Sequence, residues 1–224
     1  MKTFFIAGAG TDVGKTHVTA ALARALLRSG RSVRVFKPVA SGYDPAHPEE
    51  SDAGRLLDAL GLPPSPWNIE AICPLRFAAP LSPPAAARRE GVSLSLEMIA
   101  GPCEARIRAA EADVLLIEGV GGLMSPLTDS ATGLDLMARL AAPTVLVGGS
   151  YLGAISHLLT AVEVLGNRRL DLAATVVSES QPPAPDFRET VADIGRFLPG
   201  QPLFAADRVD DWRADDLAGR LIGL

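Results

Sequence analysis

The sequence predicts a doubly wound α/β domain: a mostly parallel sheet flanked by helices. Short apolar runs of four or five β-formers recur along the 224 residues. Amphipathic helical stretches fall between them, and turns rich in glycine join the two. At this length a single domain over residues 1–224 is expected rather than two small ones.

Thr3–Ala7 is apolar and ends at Gly8, as a buried strand would. Lys15–Arg28 carries Val18, Ala21, Leu22, Ala25 and Leu26 at spacings of three and four, with Gly30 just past its end. That pattern is an amphipathic helix with a glycine stop. Ser32–Phe36 reads as the second strand, and Val114–Ile117, Thr144–Val147 and Ala173–Val177 repeat its character. Helices are expected at Asp52–Leu60, Leu94–Ala110, Leu134–Leu140, Ile155–Leu165 and Phe187–Phe197. The prolines of Pro63–Pro66 and Pro80–Pro84 are too closely spaced to form linkers and read as punctuation inside the domain.

Two segments invite misreading. Met1–Ala9 starts as a secretory signal does, but Asp12 and Lys15 interrupt it too early. Leu140–Val162 lacks Asp, Glu, Lys and Arg and is nominally long enough to span a bilayer. Pro143 and Gly148-Gly149-Ser150 break it, so a buried strand followed by a core helix is expected.

Composition narrows the function classes. Hydrophobic residues are 48% and charged residues 21% of the chain, which excludes a disordered polymer. With 21 basic and 26 acidic residues the net charge is −5, which disfavours nucleic acid as a partner. Cys73 and Cys103 make no disulfide framework, and with only His17, His47 and His157 beside them a structural zinc site is not expected. A reducing cytoplasm fits this usage, with no membrane partner.

The strongest chemical signal is Gly8-Ala9-Gly10-Thr11-Asp12-Val13-Gly14-Lys15-Thr16, between the first strand and the first helix. Binding a phosphate tail needs converging backbone N–H groups, a helix N-terminus, a lysine for the terminal phosphates and a hydroxyl for magnesium. All four are present in order. The usual spacing puts the first glycine at Ala9, so Gly8 makes this a variant longer by one residue.

A second acid is expected at a strand end, and Asp113–Gly119 supplies Glu118 there, followed by Val120-Gly121-Gly122. Asp129 and Asp135 are competitors that do not directly end an apolar strand. Lys37, in Phe36-Lys37-Pro38-Val39-Ala40-Ser41-Gly42, emerges at the same sheet edge and could stabilise charge on a transferring phosphoryl group. Taken alone, Lys37 also fits a solvated surface lysine, and Asp52 in Ser51-Asp52-Ala53 a helix cap.

These segments together resemble the dethiobiotin synthetase family: the phosphate loop, Lys-Pro-Val-Ala-Ser-Gly at 37–42, Ser-Asp-Ala at 51–53 and Glu-Gly-Val-Gly-Gly at 118–122. Phe77–Pro83 and Leu152–His157 add to the likeness, which runs from about residue 3 to residue 180. The resemblance implies an ATP- and Mg2+-dependent ring closure in biotin biosynthesis. In it 7,8-diaminononanoate takes up CO2 as a carbamate, the carbamate attacks the γ-phosphate, and the second amine closes a cyclic urea.

Carried onto this chain, the resemblance implies Lys15 and Lys37 as catalytic cations and Thr16, Asp52 and Glu118 as magnesium ligands. Asp12, Val13, Gly14, Lys15, Thr16, His17, Glu118, Gly121 and Ser178 would contact the nucleotide. Thr11, Ser41, Gly121 and Ser156 would contact the diamine. A homodimer with the substrate at the interface is implied too, with Leu152–Ser156 serving the partner's site.

The chain departs from the family pattern in places. Ala9 and Gly10 stand where threonine and aspartate are usual, and Asp12 where glutamate is. Ser178-Glu179 replaces an asparagine that reads adenine, Ser156 replaces a substrate-side asparagine, and no proline-led turn occurs around 207–209. These changes spare the phosphate chemistry and predict a weakened preference for ATP.

Partitioning and septum-site ATPases share the expected fold, but their loop carries a lysine at the place of Gly10. Their basic amphipathic C-terminus is also missing: five aspartates from Asp207 to Asp216 oppose three arginines in this tail. A corrinoid amide ligase would need an appended glutamine-hydrolysing domain, for which 224 residues leave no room.

Overall fold

The computed structural model describes residues 1–181, 185–208 and 212–223. Six parallel strands form the main sheet: β1 (Lys2–Gly8), β2 (Val33–Phe36), β5 (Val114–Glu118), β6 (Thr144–Gly148), β7 (Leu172–Ser178) and β8 (Leu203–Ala206). Their order is β2-β5-β1-β6-β7-β8. Central β1 pairs with β5, Phe4 opposite Leu116, and with β6, Phe5 opposite Thr144.

Alternation along the strands makes two cores. Phe4, Ile6, Leu116, Val145 and Val147 pack against α1 (Lys15–Arg28), α2 (Asp52–Ala59) and α9 (Asp215–Ile222). Phe5, Ala7, Leu115, Ile117 and Leu146 face the other way. They meet α5 (Leu96–Ala109), α6 (Gly133–Leu140), α7 (Ala154–Asn167) and α8 (Phe187–Phe197). Covering both faces is what parallel strands with continuous apolar runs require. The uncharged stretch at 140–162 is the end of α6, then β6, then the start of α7. Among the described residues no helix is long and apolar enough to cross a membrane.

Several elements go beyond the sequence expectation. Val39–Ser41 (β3) and Leu75–Phe77 (β4) form a separate two-stranded parallel sheet, Ser41 opposite Phe77. The proline clusters are helix starts rather than punctuation: Pro66 opens α3 (Pro66–Ile72) and Pro83 opens α4 (Pro83–Arg89). Proline's fixed φ and missing N–H suit a first helical turn. Ser65 completes the start of α3 by accepting a hydrogen bond from the Asn68 N–H at 3.3 Å. β8 closes the far edge of the sheet, and α9 packs beside α1 on one face, where Arg28 of α1 meets Asp215 at 2.8 Å. Val209, Asp210 and Asp211, in the tail considered above, lie outside the described residues.

Candidate functional site

The strand order sets the site. β2, β5 and β1 are adjacent, so the residues leaving their carboxyl ends share one edge of the sheet, where open parallel sheets bind ligands. The three exits are Lys37, Glu118 with the glycines after it, and the loop Gly8–Gly14.

Backbone bonds seat that loop. Ala9 N–H donates to the Val147 carbonyl at 2.8 Å, and Leu123 N–H to the Gly8 carbonyl at 3.0 Å. Gly8 tolerates no side chain, since a Cβ there would lie 2.7 Å from the Gly10 carbonyl oxygen. The glycine one step before the usual place is thus the one the close approach needs. α1 begins immediately after Gly14 with no side-chain cap, so its first-turn N–H groups are left for an anion. Lys15, 7% exposed, curls back to donate to the Gly10 carbonyl at 3.1 Å. Burial, and then the neighbouring Lys37 charge, push its ammonium down to about 8.

Lys37 is not the surface lysine it could have been. It is 1% exposed, and its Nζ lies 2.7 Å from Glu118 Oε1 and 2.9 Å from Asp52 Oδ2. Burial pushes its pKa down; the two carboxylates outweigh this and hold it above the ordinary lysine value. Asp52 is free to face it because the helix cap is Ser51, whose Oγ accepts from the Gly54 N–H at 3.0 Å. Partial burial pushes the Asp52 carboxyl up, but the Lys37 ammonium outweighs this and holds it below the ordinary value. Removing one partner from such a buried cluster typically costs about 3–5 kcal/mol.

Glu118 is fully buried. Its Oε1 also accepts from the Thr16 hydroxyl at 2.8 Å, while Oε2 has no hydrogen-bond partner. A hydroxyl and two carboxylates around an orphaned buried oxygen form a donor set that suits a hard divalent cation. Among the described residues no group of three or more His, Cys, Asp and Glu side chains forms a cage. Such an ion would rely on phosphate oxygens and water for its remaining ligands, as Mg2+ usually does. The competing acids are occupied elsewhere. Asp129 pairs with Arg88 on the surface, and Asp135 makes the capping box of α6 with Thr132.

A cleft of about 610 Å3 opens above this cluster, lined by Thr11, Asp12, Gly14, Lys15, Thr16 and His17 from the loop and α1. Lys37, Ser41, Asp52 and Gly121 face it as well. The structure therefore brings together most of the residues singled out from sequence. Asp12 takes a left-handed backbone with φ 55°. Val13 turns its side chain into the core, leaving only its backbone for a ligand. His17 lies against Trp212, ring centroids 6.2 Å apart, and burial lowers its pKa.

Two expected residues stand apart. Ser178, 1% exposed, lies behind the loop rather than on the cleft wall; Ser180, Gln181 and Arg208 line that side instead. Ser180 and Ser150 exchange reciprocal bonds, each hydroxyl accepting from the other's N–H at 2.9 Å. The Arg208 N–H donates to Glu179 Oε2 at 2.9 Å. Ser156 is exposed on α7, outside the cleft. Arg55 was missed although its position one turn after Asp52 places it on the same helix face.

The family described as an AAA domain matches residues 2–205. The chain is 54% identical over 209 residues to the ATP-dependent dethiobiotin synthetase BioD of Phenylobacterium zucineum, covering 93% of this chain and 89% of that one. It is 56% identical over 197 residues to the protein of that name from Methylobacterium nodulans, with 86% and 87% covered. To the one from Caulobacter vibrioides it is 47% identical over 222 residues, with 99% and 100% covered. Among solved structures, a ParA family ATPase from Chlorobium tepidum superposes with TM-score 0.54 at 14% identity, covering 99% of this chain and 89% of that one. The MinC:MinD cell division complex of Aquifex aeolicus gives 0.51 at 13%, covering 99% and 86%. At such identities these two share the fold alone.

Proposed function

The chain belongs to the ATP-dependent dethiobiotin synthetase family, and from that premise we propose that it closes the cyclic urea of dethiobiotin. The substrates are 7,8-diaminononanoate, CO2 and ATP, with residues 1–224 acting as one P-loop domain. The observation that carries this reading is the convergence of Lys15, Lys37, Thr16 and Asp52 on the wall of one cleft, with Glu118 buried beneath them and bonded to Lys37 and Thr16.

One amine of the diamine, unprotonated, adds to CO2 to give a carbamate; a nearby lysine cation favours the neutral amine. A carbamate oxygen then attacks the γ-phosphorus of ATP and ADP leaves, giving a carbamic–phosphoric anhydride. The second amine attacks its carbonyl carbon, the C–O bond to phosphate breaks, and the ring closes. Phosphoryl transfer asks the protein mainly for positioning and charge stabilisation. Lys15 and the first-turn N–H groups of α1 grip the β- and γ-phosphates, with Asp12, Gly14, His17 and Gly121 around the tail. Lys37 faces the transferring group, and Thr11, Ser41 and Gly121 orient the diamine. Thr16, Asp52 and Glu118 would hold Mg2+, which would supply Lewis-acid neutralisation of the phosphate charge.

A homodimer completes the reading. Leu152 is 89% exposed just before α7, an apolar side chain that a second copy would cover, and Ser156 lies one turn beyond it. The cytoplasm is the expected compartment. Incubation with 7,8-diaminononanoate, bicarbonate and MgATP, followed by mass analysis, should yield the cyclic urea with ADP and phosphate in equal amounts. ATP turnover without cyclic urea would refute the assignment.

A further inference from the structure

The three residues assigned to the metal already surround a cation. Lys37 Nζ touches both carboxylates, at 2.7 Å and 2.9 Å, and the Thr16 hydroxyl donates onto the same Glu118 oxygen that Lys37 engages. Glu118 Oε2, buried beside them, has no partner. We propose that Lys37 is a built-in stand-in for the divalent cation, which occupies the metal's ligand set in the free protein and leaves it when metal arrives with nucleotide. The inference rests on the reading above for the identity of the metal ligands.

Charge balance gives the direction. In the free protein Lys15 and Lys37 offset Asp52 and Glu118, so this buried cluster is neutral. A divalent ion entering alone leaves two uncompensated positive charges at close range in a poorly screened site. With nucleotide, the phosphate oxygens supply the missing anions. The displaced Lys37 ammonium then exchanges carboxylate partners for the phosphate tail at the mouth of the same cleft. One side chain thus opposes metal binding in the absence of nucleotide and becomes a catalytic cation in its presence. The orphaned Oε2 is the oxygen that gains a partner in the exchange.

The test is Mn2+ binding to the nucleotide-free full-length protein, read by electron paramagnetic resonance, with no diamine or bicarbonate present. Lys37→Met should bind Mn2+ about tenfold or more tightly than wild type, and Lys37→Gln should behave alike, which covers the case in which the methionine variant does not fold. Lys37→Arg, which keeps the charge, should remain weak. Equal affinity in wild type and the neutral variants would overturn the inference, as would equal tightening in Lys37→Arg. On the wild-type protein, the Lys37 15Nζ signal should move when Mg2+ is added to ADP-saturated protein; an unmoved signal would also overturn it. Cyclic urea formation by a protein whose Mn2+ affinity ignores Lys37 would sink this exchange alone. Absence of cyclic urea beside the predicted affinities would sink the ligase reading alone.

Discussion

Ser178, at the tip of β7, stands directly behind Gly14: a Cβ at Gly14 would lie 2.3 Å from Ser178 Oγ. Gly14 also sits at φ +91°, a conformation that side chains disfavour. The phosphate loop therefore rests on a strand two places along the sheet from β1, and a small residue at each contact point lets it seat.

Gly14→Ala should lower stability by about 1 kcal/mol from backbone strain and about 1–3 kcal/mol from the clash. Thermal unfolding of Gly14→Ala alone and combined with Ser178→Gly separates the two. The double variant should recover the clash share; no recovery would mean that the Ser178 contact does not limit the loop.

Lys37→Ala should reduce turnover by about 10^3-fold or more, the scale of removing a transition-state cation. Nucleotide affinity should change little, because the loop amides and Lys15 remain. Near-normal kcat in this variant would show the assignment of Lys37 to be wrong.

Cys73 and Cys103 are free and buried, and burial pushes both thiols up from 9.0 to about 12. The folded protein keeps these protons at pH values where the unfolded chain releases them. Stability from this source is complete below about pH 9 and is lost as pH rises from there towards 12. Between pH 8 and pH 10 the pair should account for a loss of about 3 kcal/mol. A Cys73→Ala/Cys103→Ala variant followed over that range should show a shallower fall; an unchanged slope would contradict the burial argument.

Base selectivity should be modest. Ser178 is behind the loop, and the outer wall offers Ser180, Gln181 and an Arg208 engaged with Glu179. The ratio of kcat/KM for ATP over CTP should stay below about tenfold, the range of weak contacts rather than of a site built to read one base. A ratio in the thousands would contradict this.

What could be read from sequence was decided by length and period. Lys15–Arg28 matched its helix because a long apolar face with a glycine stop has few alternatives, and the glycine-rich loop declared its chemistry. β3 and β4 escaped notice because three residues give no period, and α3 and α4 because proline at a helix start looks like a break. Lys37, Asp52 and Glu118 were each nominated, yet nothing local says that one ammonium bridges both acids; that follows from β2 lying beside β5. The place of Ser178 depends on packing between distant segments in the same way, whereas Arg55 is marked locally by its position one turn after Asp52 on α2.

The most direct measurement is a crystal structure with a non-hydrolysable ATP analogue and Mn2+. Both Lys15 and Lys37 should reach the phosphate tail, and the anomalous peak should sit among Thr16, Asp52 and Glu118. Lys37 or Glu118 turned away from the tail in every subunit would contradict the account.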